Sequence, residues 1–169
     1  LGTTSVGRSP EVVAKGFVNA DSVLDLVTCD TADDRVTVLL GNGNGTFTLL
    51  AGVAAGDNPR HVKLVDLNGD GFDDILTANF NSSTVTVLKN NSGASFTPQG
   101  TLSIAGVSGC VYLNVADLNA DGRLDCLVSF AQSDTIGVFP GTGAFTFGAG
   151  ELIPAGDSPL GIGIADLDS

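Results

Sequence analysis

Methionine and tryptophan are absent from this chain, histidine and tyrosine occur once each, and only seven Lys and Arg stand against 19 Asp and Glu. Each shortage excludes something. A net charge of −12 with scattered cations leaves no basic stripe to displace counterions from phosphates, which excludes nucleic acid as a partner. No apolar run approaches the roughly 20 residues that span a bilayer. The three cysteines (Cys29, Cys110, Cys126) are odd in number and lack CxxC spacing. They read as buried free thiols in strands, with one disulfide left open, and not as a zinc ribbon or a disulfide framework. The single histidine, His61, falls by parity in a strand and is expected to be structural, as is the single tyrosine, Tyr112, in the core. A Ser-His-Asp triad has no support.

What is abundant points elsewhere. Of the 19 acids, 17 are Asp, a residue of turns and metal loops, and 23 residues are Gly. Apolar residues make up 43% of the chain, too many for a disordered acidic tail, and 169 residues suffice for one ordinary domain. They fall in short β-branched clusters, such as 36–40 and 85–88, bounded by Gly, Asn or Asp. The chain is expected to be all-β.

An internal repeat sets the architecture. The run Asp66-Leu67-Asn68-Gly69-Asp70-Gly71-Phe72-Asp73-Asp74-Ile75 returns 51 residues later as Asp117-Leu118-Asn119-Ala120-Asp121-Gly122-Arg123-Leu124-Asp125-Cys126. A weaker copy begins at Phe17, and a start of another at Asp166. Phe47, Phe96 and Phe145 keep the same step, each after a Gly-rich turn. In the second unit, strands are predicted at about 60–66, 74–79, 84–89 and from 96 onward. The second strand of every unit is nearly all apolar, as in a sheet covered on both faces. Four antiparallel strands every 50 residues or so describe blades of a β-propeller. A solenoid is the alternative, but its coils are usually shorter. The units lie at about 8–55, 57–105 and 107–155, with a partial one at 157–169, so residues 1–169 read as a single propeller piece of about 3.3 blades. Propellers close with four to eight blades. The sequence is therefore expected to be a fragment of a longer protein, with assembly of several chains into a ring as the lesser alternative.

The loops carry the chemistry. Asp66, Asn68, Asp70 and Asp74 occupy positions 1, 3, 5 and 9, with Gly71 at 6 and the Phe72 carbonyl at 7, as in the first half of an EF-hand loop. Asp117, Asn119, Asp121, Asp125 and the Arg123 carbonyl repeat the set. Oxygen-only donors in a flexible loop suit Ca²⁺; Mg²⁺ demands a smaller octahedron, and zinc or copper would want His or Cys. Unscreened, each close carboxylate pair would repel by about 4 kcal/mol at an effective dielectric near 20. An empty Asx-rich turn would look similar, but the same spacing occurs twice. The first unit has Phe17 at position 1 and Ser22 in place of the glycine, leaving Asn19, Asp21 and Asp25 as a weaker set. The last offers only Asp166 and Asp168.

With the V-T-V-L strand, the G-N-G-N-G-T-F turn and A-G-D-x-P, this motif resembles the FG-GAP/VCBS repeats of integrin-type β-propellers, over essentially the whole chain. The FG-GAP part survives best as Phe147-Gly148-Ala149-Gly150. The resemblance implies calcium loops between the first and second strands and a secreted or cell-surface protein. It also implies use in adhesion, in protein or carbohydrate recognition, or beside an enzyme. The expectation is a non-catalytic calcium-binding recognition scaffold with a protein or carbohydrate ligand. The alternative is a propeller part of a secreted carbohydrate-active enzyme or a lectin. Sugar sites usually show exposed aromatics, and this chain offers few. Three N-x-S/T triplets, at Asn44, Asn81 and Asn90, fall in expected turns, whose composition generates such triplets.

Overall fold

The computed structural model describes residues 3–93 and 95–166. Its first sheet joins β1 (Pro10–Gly16), β2 (Asp25–Asp30), β3 (Arg35–Gly41) and β4 (Phe47–Leu49) in that order, with β5 (Val53–Ala54) also on β3. The second joins β6 (Pro59–Val65), β7 (Asp74–Asn79), β8 (Thr84–Asn90) and β9 (Phe96–Leu102). The third joins β10 (Cys110–Ala116), β11 (Asp125–Phe130), β12 (Thr135–Phe139) and β15 (Glu151–Pro154), with β13 (Gly141–Gly143) and β14 (Thr146–Phe147) forming a small ribbon before it. The pairings within each sheet are antiparallel, and neighbouring strands follow one another in sequence except where β15 pairs with β12 and β5 with β3. These are meandering blades, not solenoid coils.

The pairing follows the residue pattern. On β2 and β3, Val27 faces Val38, Thr28 faces Thr37 and Cys29 faces Val36. β-branched residues fit the pleat and meet cross-strand partners of the same kind. Every residue of β7 is buried, because both of its faces are covered by neighbouring sheets. Between the first and second sheets, Val27, Cys29, Val36 and Val38 pack with Val62, Leu64, Ile75 and Leu88. Between the second and third, Leu76, Ala78, Val85 and Val87 pack with Leu113, Cys126, Val128 and Phe130. Neighbours decide burial here. Val62 is 2% exposed, whereas Val13, at the matching register of β1, is 58% exposed.

In the first two blades the polar residue that ends the second strand is satisfied locally. At the end of β2, the buried Asp30 accepts from the Thr28 and Thr37 hydroxyls and the Gly7 amide. In the second blade Asn79 takes that place, bonded to Thr77, Thr84, Thr86 and the Gly56 amide. In the third, the apolar Phe130 stands there, itself buried.

Two expectations change. Tyr112 is not core: it is half-buried beside His61 at the start of the inner strands, ring centroids 4.0 Å apart, because a bulge between Cys110 and Tyr112 puts Leu113, not Tyr112, on the buried face with Cys110. Asn90 lies in no turn: it ends β8 fully buried, its side chain bonded to the Val18 and Asp73 carbonyls and the Gly93 amide, which closes it to glycosylation. The outer strand of the third blade begins at Glu151, since Phe145 sits in the ribbon turn at φ +61°.

The cysteines are free and buried in strands, as expected. Burial pushes Cys29 and Cys110 up to about 12 and Cys126 higher still. All three should resist a water-soluble disulfide reagent in the native state and react together on denaturation; rapid native labelling would contradict the packing.

Burial, helped by the Lys63 charge, lowers His61 from 6.5 to about 4. The neutral ring is thus favoured in the fold, and the stability it contributes is whole above pH 6.5 and is lost as the pH falls towards 4. After discounting for partial exposure, a difference of about 1–2 kcal/mol is expected over that window. It should appear as a steeper acid loss of melting temperature in the parent than in His61→Phe.

Candidate metal centre

The loops at 17–24, 66–73 and 117–124 connect the inner strand of each blade to its second strand, so all three open at the same end of the inner strands. In the second loop, Asp66 organises the backbone. Its Oδ1 accepts from the amides of Asn68 (3.2 Å), Gly69 (2.7 Å) and Asp70 (3.2 Å), and its Oδ2 accepts from Gly71 (2.8 Å). Asn68 Oδ1 accepts from the Asp70 amide at 2.8 Å, and Asp70 Oδ1 from the Phe72 amide at 3.0 Å. Each Asx side chain thus caps the backbone two residues on, winding the chain around one centre. Gly71 completes the reversal at φ +87°.

The third loop repeats this ladder. Asp117 takes the amides of Asp121 and Gly122, Asn119 takes that of Asp121, and Asp121 takes that of Arg123. The Arg123 guanidinium lies 3.5 Å from Asp121 and offsets part of its charge. In the first loop, Asn19 accepts from Asp21 and Asp21 from Val23, and Ser22 adopts φ +59° where the others have glycine. No carboxylate stands at Phe17.

The ninth-position aspartates do something further. Asp74 is buried, with Oδ2 accepting from the Leu67 amide (2.9 Å) and Oδ1 from the Asn90 amide (2.8 Å). Asp125 binds Leu118 and Gly141 in the same way, and Asp25 binds Val18 and Gly41. Each latches the entry of its loop to the end of the third strand. Burial raises the Asp74 carboxyl, the two amides oppose that, and the Asp70 and Asp66 charges raise it further.

The donor set of the second and third loops fits a hard dication, because every side chain at the ladder positions is an oxygen donor that backbone amides already orient. In the conformation described, the carboxylates are held apart by those amides, and no three His, Cys, Asp or Glu side chains form a metal-holding group among the described residues. The Asn68 Nδ2 donates to Asp70 Oδ2 at 2.9 Å, the contact a bound ion would replace. Asp166 is described but lies outside any strand, and Asp168 falls outside the described residues.

Two residues that the motif does not single out join neighbouring blades here. Asp73 accepts from the Phe17 amide at 2.7 Å and donates its own amide to the Phe17 carbonyl at 2.8 Å. Asn90 donates to Val18. The sequence signal for Asp73 was weak but present: it is an acid where the other loops have Leu24 and Leu124. Between the second and third loops lies a cleft lined by Asp66, Asn68, Arg123 and Phe147 among others.

Asp74→Asn replaces one acceptor oxygen with a donor facing an amide. A loss of about 1–3 kcal/mol is expected, read as a lower urea midpoint, whereas Asp70→Asn should stay within about 0.5 kcal/mol when calcium is chelated.

Comparison with known proteins agrees with this architecture. The family described as FG-GAP-like repeat matches three overlapping stretches, 18–77, 66–128 and 117–169. Among solved structures, BBS1N in complex with ARL6DN, soaked with lead, superposes with a TM-score of 0.64 at 15% identity, over 97% of this chain and 49% of that one. The periplasmic gluconolactonase PpgL of Pseudomonas aeruginosa gives 0.64 at 18% identity, over 92% of this chain and 42% of that one. At such identities the likeness shows the fold alone, and the chain spans less than half of either neighbour. No curated protein matches the sequence. With its repeats matched from residue 18 to residue 169, the chain belongs to the FG-GAP-like repeat family and has a β-propeller-type fold.

Proposed function

We propose that this chain is a calcium-stabilised recognition module of a secreted or cell-surface protein, without catalytic activity of its own. The observation that carries the reading is the pair of matched oxygen ladders, Asp66-Asn68-Asp70 and Asp117-Asn119-Asp121, wound the same way in adjacent blades. Asp66, Asn68, Asp70 and the Phe72 carbonyl, with Asp74, would hold one ion. Asp117, Asn119, Asp121 and the Arg123 carbonyl, with Asp125, would hold the other. Calcium, when bound, supplies the positive charge that offsets converging carboxylates. The buried latches Asp74 and Asp125 would transmit that closure to the third strand of each blade. The net charge of −12 favours cation capture electrostatically.

Specificity then lies in what varies between units on this repeated frame, since loops on a rigid scaffold carry recognition. The absence of a membrane-spanning helix among the described residues is compatible with this setting.

Calorimetric titration with calcium should show two sites. At a hundredfold excess over Kd each adds about 2.7 kcal/mol, so with both sites filled the melting temperature should rise by roughly 10–20 °C relative to chelator. Asp70→Asn with Asp121→Asn should abolish the rise while leaving the chelated melt unchanged. Equal melts with and without calcium, and no heat, would remove the metal from the reading.

A further inference from the structure

The three inner strands share a device at the end opposite the acidic loops. Pairing with the second strand skips one residue in each: Glu11 between Pro10 and Val12, Arg60 between Pro59 and His61, Val111 between Cys110 and Tyr112. A bulge re-aims side chains and is over-represented beside functional sites. These bulges bring Glu11, Arg60, His61, Val111 and Tyr112, with Leu160, to the wall of one cleft of about 390 Å³.

The repeat abandons its own chemistry at this spot. The place of Glu11-Val12 holds Arg60-His61 in the second unit and Val111-Tyr112 in the third, yet the next residue is apolar each time: Val13, Val62 and Leu113. A requirement of the blade itself would ask for the same residue type in every unit. Instead, the chain's one histidine and one tyrosine meet here at 37° between ring planes.

The side chains are also pre-set. Arg60 donates through Nε to Asn58 Oδ1 at 3.1 Å and lies over the Phe80 ring at 4.1 Å, so its guanidinium is fixed while remaining 39% exposed. Glu11 approaches it only to 4.0 Å, a loose pair that an incoming anion displaces at little cost. His61 Nδ1 is buried without a hydrogen-bond partner, which keeps the imidazole neutral at pH 7 and its ring available as a stacking surface with Tyr112.

A planar guanidinium fork matches a carboxylate. An exposed carboxylate such as Glu11 accepts from hydroxyls, and an aromatic pair offers a face to a ring. We propose that this cleft binds a small carboxylate-bearing, hydroxylated ring compound, of the chemistry of a sugar acid. Arg60 takes the carboxylate, the His61–Tyr112 pair flanks the ring, and Glu11 accepts from its hydroxyls. Seven-residue strands place the cleft about 20 Å from the acidic loops, so the site does not depend on calcium.

With no tryptophan, the intrinsic fluorescence of the chain belongs to Tyr112, and its one set of histidine ring-proton signals belongs to His61. The full chain is titrated with glucuronate, glucose and benzoate, in calcium and in chelator. Glucuronate should change the Tyr112 emission saturably and shift the His61 ring protons in both media, with glucose at least tenfold weaker. Arg60→Gln should weaken glucuronate at least tenfold without lowering the melting temperature. No saturable change with glucuronate, glucose matching it, benzoate binding where glucuronate does not, or unaltered affinity in Arg60→Gln would each overturn the proposal. Failure of the calcium titration alone would leave it standing.

Discussion

The blades depend on a buried aspartate that accepts two backbone amides from opposite sides of its strand. Asp25, Asp74 and Asp125 each open a second strand, and each ties the start of the preceding loop to the last residue of the third strand or, for Asp125, to Gly141 two residues beyond it. A carboxylate at such depth is tolerated only when its oxygens are bonded, and removing the partners or the charge leaves buried groups exposed to the full desolvation penalty. Because the latch joins inner strand, loop and third strand at one point, it fixes where the loop emerges. The acidic ladders can then vary in strength from blade to blade without loss of the sheet, as the first loop shows with Phe17 and Ser22 in place of Asp and Gly.

Neighbouring blades are held in a different way. Their faces meet through apolar layers, Val and Leu against Val, Ile and Phe, which specify contact but little direction. Between the first and second blades, direction comes from polar contacts at the loop end, where Asp73 grips both backbone groups of Phe17 and Asn90 reaches Val18. The proposed metal loop at 66–73 therefore sits at the point where the first and second blades are aligned. Ordering that loop would stiffen the inter-blade angle as well as the blade.

The two ends of the inner strands divide the work. At one end the residues repeat, which is what a structural requirement common to all blades produces. At the other, a repeated backbone bulge presents unrepeated side chains, which is how one fold unit is adapted to one ligand.

Much of this was legible from residue order. Strand-forming runs, the 50-residue period and the oxygen spacing of 66–74 and 117–125 are local properties, and a sheet of sequential strands with tight turns preserves them in space. The strands of the second blade fall within about a residue of their expected bounds. Asp74 and Asp125 were legible as acids of a loop but not as latches, since their partners Asn90 and Gly141 lie 16 residues away. Tyr112 read as core because a lone tyrosine in a strand gave no other signal, whereas a bulge between Cys110 and Tyr112 turns Leu113 to the buried face instead. Asn90 read as a turn because its composition is that of a turn, whereas its burial comes from the neighbouring blade. The sequence by itself determined what repeats, because each unit must satisfy the same short-range rules of pleat, turn and cap. Only the tertiary structure decided which unrepeated side chains meet, because blade packing brings together residues about 50 positions apart that no local rule relates.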